Sequence, residues 1–173
     1  MMILSGGGAE PMVSVESINR EPDWLPGAGP RLREIYAYWL ARCRDGRPPR
    51  RADIDPLDIP RLLSRLIIVD LVPDERRFVY RLVGTKEVEV RGFDPTGKSV
   101  GEDFIGPSRE DALSWYERTV RTMTPQFDAR PYLSTNCKWI NDATLFLPLS
   151  DDGESVNRVL VFTESTPNTR RRG

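Results

Sequence analysis

Residues 53–104 read DIDPLDIPRLLSRLIIVDLVPDERRFVYRLVGTKEVEVRGFDPTGKSVGEDF. Inside them, Gly92-Phe93-Asp94-Pro95-Thr96-Gly97-Lys98-Ser99 fits G-x-x-x-x-G-K-[ST], the phosphate-binding loop of many nucleotide-hydrolysing enzymes. Upstream, Leu66-Ile67-Ile68-Val69-Asp70 has the form of the apolar strand and acid that hold magnesium in such enzymes. A phosphate loop needs more than its pattern: a buried strand must deliver it and a helix must leave it, so that backbone amides converge on the anion. Here residues 84–91 are charged, and residues 100–107 hold two glycines and a proline, which oppose a long helix. Pro95 lacks an amide, and Asp94 puts negative charge where phosphate would sit. The eight residues therefore read as a turn built on Asp, Pro and Gly, with Lys98 and Ser99 as surface residues.

The segments on either side give the architecture. Leu66–Val72 and Phe78–Val83 are strand-like runs joined by Pro73-Asp74-Glu75-Arg76-Arg77, a hairpin with a longer loop. Before them, Asp58–Arg65 reads as a short helix capped by Asp58, with Pro60 in its first turn. After them, residues 84–92 form a short helix or turn. Ser108–Thr124 is the longest central helix: Ser108 and Asp111 resemble a capping box, and Ala112, Tyr116, Thr119, Val120 and Met123 form its inward stripe, with Trp115 beside it. Strands follow at Gln126–Ser134, Cys137–Leu149 and Ser155–Glu164, the last two joined by the turn Ser150-Asp151-Asp152-Gly153-Glu154.

This order predicts an α+β domain with one five-stranded antiparallel sheet and its central helices on one face. Leu66 and Ile68 share one side of the sheet and Ile67 and Val69 the other, and Leu160 and Phe162 oppose Val159 and Val161. Both sides are apolar, so both must be covered. An amphipathic helix at residues 31–44 supplies a further stripe: Leu32, Ile35, Tyr36, Trp39, Leu40 and Cys43. It covers the second side from its own chain or from a second subunit. Residues 1–30 read as a flexible leader in which Ile18, Trp24 and Leu25 are the groups able to dock. Residues 166–173 read as a basic tail around Arg170-Arg171-Arg172.

Composition narrows the function. The 173 residues carry a net charge of −1, so no overall field favours nucleic acid or membrane. No run reaches the roughly 18 apolar residues of a membrane helix. Cys43 and Cys137 form neither a disulfide framework nor a zinc pattern, which suits a reducing cytoplasm. There is no histidine, which removes histidine-based triads, histidine phosphoacceptors, histidine-ligated haem and ordinary zinc sites; no metal ligand set stands out.

Five separated segments carry a family resemblance. They are Leu32-x3-Tyr36-x2-Trp39, the acidic-proline stretch Ala52–Pro60, Tyr80-Arg81-Leu82-Val83-Gly84-Thr85, Gly92-x-Asp94-x-Thr96-Gly97-Lys98, and Leu145–Gly153. Over roughly residues 31–165 the chain resembles the small single-domain PAS proteins of alphaproteobacteria. The resemblance implies a non-catalytic sensory or adaptor fold with a pocket between sheet and helices. It also implies a homodimer, by analogy, and an unidentified signalling partner protein. Neither cysteine lies in an Asn-Cys-Arg-Phe-type helix, which argues against a flavin adduct, and the missing histidine argues against haem. No cofactor is predicted; an unknown small molecule stays open. The candidate pocket residues are Tyr80, Trp115, Tyr116, Arg130, Tyr132 and Trp139, each with ordinary packing as the alternative. A nucleotide-hydrolysing enzyme using Gly92–Ser99, and a purely structural dimerisation module, are the competing readings.

Overall fold

Among the described residues, three helices and five strands with stated bounds follow one another as α1 (Pro30–Leu40), β1 (Leu66–Leu71), β2 (Phe78–Val83), α2 (Thr85–Arg91), α3 (Arg109–Thr122), β3 (Gln126–Leu133), β4 (Trp139–Leu149) and β5 (Arg158–Pro167). They belong to a computed structural model that describes Ile18, residues 20–102, Phe104, residues 108–133 and residues 139–167; the side chains of residues 132, 133, 139, 140, 166 and 167 lie outside the description. The strands form one antiparallel sheet in the order β2-β1-β5-β4-β3. The expected α+β class and five-stranded sheet are what the chain adopts.

The register sorts the sheet into two faces. Leu66 pairs with Phe162 and Ile68 with Leu160 on one face; Ile67 pairs with Val161 and Val69 with Val159 on the other. Leu66, Ile68, Leu160 and Phe162 join one core with Leu145, Leu147 and Leu149, and α1 covers it with Leu32, Ile35, Tyr36 and Trp39. Ile67, Val69, Val159 and Val161 join a second core with Phe78, Tyr80 and Phe146, which α3 covers with Tyr116. In β2 the register slips between Ile68 and Val69, so that Ile68 faces Leu82, Val69 faces Tyr80, and Arg81 has no partner across the ladder. This bulge sends Tyr80 and Leu82 to opposite faces although they are two residues apart.

Both faces are thus covered from within one chain. Leu32, Ile35 and Trp39 are fully buried, and the Trp39 indole Nε1 donates to the Pro148 carbonyl at 2.9 Å. Of the two covers that the sequence left open for this stripe, its own chain or a second subunit, the chain's own β4 and β5 take it. The helix ends at Leu40 rather than 44: the Arg42 and Cys43 amides bond three residues back, to Trp39 and Leu40, and the chain then turns through Asp45 and Gly46, both left-handed. The expected leader is not wholly a leader. Ile18 is buried, and Trp24 stacks on Phe127 at 4.7 Å and meets Tyr36 edge-on at 5.1 Å. The remaining residues before Arg20, and residues 168–173 of the basic tail, lie outside the described residues; Thr166 and Pro167 of that tail belong to β5.

Two further boundaries differ from expectation. No capped helix spans 58–65; two 3-10 turns, Pro56–Asp58 and Leu63–Arg65, replace it. The Asp58 carboxylate accepts from Arg42 Nη2 at 2.6 Å and from the Tyr38 hydroxyl, so it caps nothing, while Asp55 accepts from the Leu57 amide at 2.9 Å. Strand β5 begins at Arg158 rather than Ser155 because Asp152 Oδ1 accepts from the amides of Glu154 and Ser155, both at 2.8 Å, and holds them in the turn. These bonds keep the Asp152 carboxyl well below the usual carboxylate range.

Candidate ligand site on the inner face of the sheet

The sheet face under α2 and α3 is apolar at one end and polar at the other. At the apolar end Tyr116 packs against Phe78 and Phe146, with ring centroids 5.2 and 5.1 Å apart. Proceeding along the strands from Phe146 and Val161, the same alternation gives Thr144 and Thr163, then Asp142 and Ser165. The two threonine hydroxyls are 3.2 Å apart, and Ser165 Oγ donates to Asp142 Oδ1 at 2.6 Å. Asp128 and Arg130 of β3 stand opposite Thr144 and Asp142.

Helix α2 brings a buried ion pair to this face. Glu87 and Arg91, one turn apart, meet at 2.9 Å with both side chains only 9% exposed. The Arg91 guanidinium lies 5.9 Å from the Tyr80 ring, and its Nε is buried without a hydrogen-bond partner. Such a donor is costly to leave unmet. The pair also acts electrostatically on the sheet: the Asp142 carboxyl is pushed up, chiefly by burial, with the Glu87 charge adding to the push and Arg91 opposing it. Burial pushes the Tyr116 hydroxyl well up, so it stays protonated. Chemically, the face offers an apolar, aromatic floor beside a row of hydroxyl, carboxyl and guanidinium groups.

The structure brings together three of the six sequence candidates: Tyr80 and Tyr116 are buried in this core, and Trp115 packs against it half-buried. Arg130 is exposed and is occupied by Asp128 and Asp111, each at 2.7 Å. The side chains of Tyr132 and Trp139 lie outside the described residues. Sequence reasoning missed Glu87, Arg91, Asp142, Thr144, Thr163 and Ser165. A signal existed: within two otherwise apolar strands, polar residues recur at every second position on the side continuing Phe146 and Val161.

The Gly92–Ser99 stretch has no phosphate cradle. Gly92 ends α2 with φ 77°, and the Asp94 carboxylate accepts from the Thr96 amide and hydroxyl. The Gly97 amide donates to the Tyr80 carbonyl at 2.7 Å, the Lys98 amide to Pro95 at 2.9 Å, and the Tyr80 amide donates back to the Lys98 carbonyl at 3.0 Å. The Thr96, Gly97 and Lys98 amides, which a phosphate cradle would need, are thus spent on the turn and on the outer edge of β2. Asp70, the apparent magnesium acid, is held by Arg81 at 2.6 Å and Arg158 at 2.9 Å. Among the described residues, no group of three or more His, Cys, Asp or Glu is placed to hold a metal ion, and no helix is long and apolar enough to cross a membrane.

Cys43 packs against the α1 core, across the sheet from the candidate site, and burial pushes its thiol up to about 12. Cys137 lies outside the described residues. A missing cysteine motif bears on a covalent adduct and not on binding.

A 2-1-5-4-3 antiparallel sheet, with short helices between its two hairpin-linked halves, defines the α+β architecture of the domain. Its family follows from the sequence: the PAS domain model matches residues 28–162, and the chain belongs to the PAS domain family. No curated protein matches the chain. Similar solved structures include a Light-Oxygen-Voltage domain described in connection with a flavin analogue (10% identity, TM-score 0.47, covering 64% of this chain and 82% of that one). Another is the Rhodobacter sphaeroides LOV protein (11%, 0.46, 66% and 69%). A third is the LOV domain of the Erythrobacter litoralis EL346 blue-light activated histidine kinase (12%, 0.44, 59% and 94%).

Proposed function

We propose that this protein is a non-catalytic PAS sensory or adaptor module. It binds a small molecule between α2, α3 and the sheet, and passes the signal to a partner protein by contact. The reading includes self-association and a cytoplasmic setting, with neither nucleic acid nor membrane as a partner. The observation that carries it is the unpartnered, buried Nε of Arg91, beside Tyr80 and within electrostatic reach of Asp142. An acceptor atom of a ligand would satisfy that donor, and the aromatic floor would hold its apolar part. One observation favours the alternative of a purely structural module with a filled core: Phe78, Tyr116 and Phe146 already pack ring against ring. Native mass spectrometry of gently purified protein separates the two. Retained added mass supports the sensory reading, and bare polypeptide mass supports the filled core.

A further inference from the structure

On the α1 side of the sheet, residues 51–64, the end of β2 and the start of α2 enclose a groove of about 270 Å³. Its walls are almost entirely carbon, with Ile54, Ile59, Leu66, Ile68, Leu82 and Val83 among them. Beside the groove, next to its wall residue Pro56, stands Leu57, 85% exposed. Leu57 does not sit on a loose loop. Its amide donates to Asp55 Oδ1 at 2.9 Å, the Asp55 amide donates to the Tyr38 hydroxyl at 2.8 Å, and Arg42 holds Asp58 at 2.6 Å. The turn carrying Leu57 is pinned at one end to Tyr38 of α1 and at the other to Arg42, just beyond that helix.

A fixed apolar knob beside an apolar hole, on one surface, is self-complementary. In a two-fold contact each knob enters the other copy's hole. Charge agrees with shape: Asp55 stands beside the knob without an ion pair among the described residues, and Arg51 lines the groove, while Asp58 is already neutralised by Arg42. We propose that this face is the self-association surface, with Leu57 of one copy seated in the groove of a second copy and the reverse. The proposal rests on the self-association in the functional reading above and assigns it a place.

The test is sedimentation velocity on the full chain, comparing wild type, Leu57→Asp, Thr85→Trp and an equimolar mixture of the two variants. Thr85 is exposed on the groove wall, so a tryptophan there blocks the hole without entering the core. The wild type is expected to dimerise at roughly tens of micromolar. Each variant alone should raise the dissociation constant by about 100-fold, because two knob contacts are lost together. The mixture should recover part of the loss, since a mixed dimer keeps one intact knob in one intact hole. A dimeric wild type with an equally dimeric Leu57→Asp overturns this surface but leaves self-association standing. A monomeric wild type overturns both. A monomer carrying a small molecule that Thr85→Trp sheds also overturns the proposal, and makes the groove a ligand site. Unchanged thermal transitions in both variants verify that the fold is intact.

Discussion

The indole Nε1 of Trp39 donates to the carbonyl of Pro148, 109 residues away, at 2.9 Å inside the core. This bond fixes α1 to β4 within one chain. Replacing Trp39 with Phe keeps most of the packing but leaves the Pro148 carbonyl unmet, and is expected to cost about 1–3 kcal/mol. Trp39→Ala adds a cavity and should cost about 3–5 kcal/mol. Urea denaturation measures both. A Trp39→Glu protein that stays folded and merely changes its oligomeric state would contradict the assignment.

Gly84 caps α2 where the chain passes the 63–64 turn. A Cβ there would come within 2.5 Å of the Leu63 and Ser64 backbone, which has no side-chain freedom to give way. Gly84→Ala should therefore destabilise by about 1–3 kcal/mol, the scale of overpacking in a tight core. An unchanged denaturation midpoint would show that the turn yields.

Lys98 sits on the turn after Gly97 (φ 85°), with its ammonium 5.3 Å from the Phe93 ring and its backbone paired to β2. Isothermal titration with ATP and magnesium should give no heat of binding for wild type or for Lys98→Ala. Stability should change by no more than about 0.5–1 kcal/mol. Binding by the wild type that the variant loses would revive the nucleotide reading.

Asp142 supplies a pH signature. Its folded-state carboxyl is pushed up, chiefly by burial, so the native state holds a proton more tightly than the unfolded chain. Its favourable contribution is present at acid pH and is lost as pH rises through the raised value. Asp142→Asn, which keeps an acceptor for Ser165, should be more stable than wild type at neutral pH, with the gap closing on acidification. Asp53, held down to about 2 by Arg50, runs the other way and loses stability as pH falls through that value. A gap for Asp142→Asn that widens on acidification would contradict the assignment.

Much of the fold was legible because apolar alternation in β1 and β5 has one interpretation: Ile67 and Ile68 must face opposite cores. Ser108 likewise marked its helix, since its side chain does accept from the Asp111 amide at 3.2 Å. The 51–65 segment was illegible because Asp58 bonds Arg42 from a different element, and side-chain pairing across sequence leaves no local trace. The site was half legible. Tyr80 and Tyr116 announced themselves by size, whereas Glu87 and Arg91 looked like an ordinary solvated i, i+4 pair. Only the packing of α2 on the sheet buries them.

That burial makes the pair sensitive to change. Glu87→Gln strands the Arg91 charge and should cost about 3–5 kcal/mol, while Glu87→Gln with Arg91→Met removes both charges and should cost far less, or nothing. A double-mutant cycle by chemical denaturation gives the coupling.

The same double variant serves the central claim. Native mass spectra of wild type, of Glu87→Gln with Arg91→Met, and of Thr85→Trp, all gently purified, compare the mass that each retains. The account predicts added mass on the wild type, its loss from the double variant and its persistence in Thr85→Trp. Bare polypeptide mass for the wild type, or added mass that survives in the double variant, would contradict it.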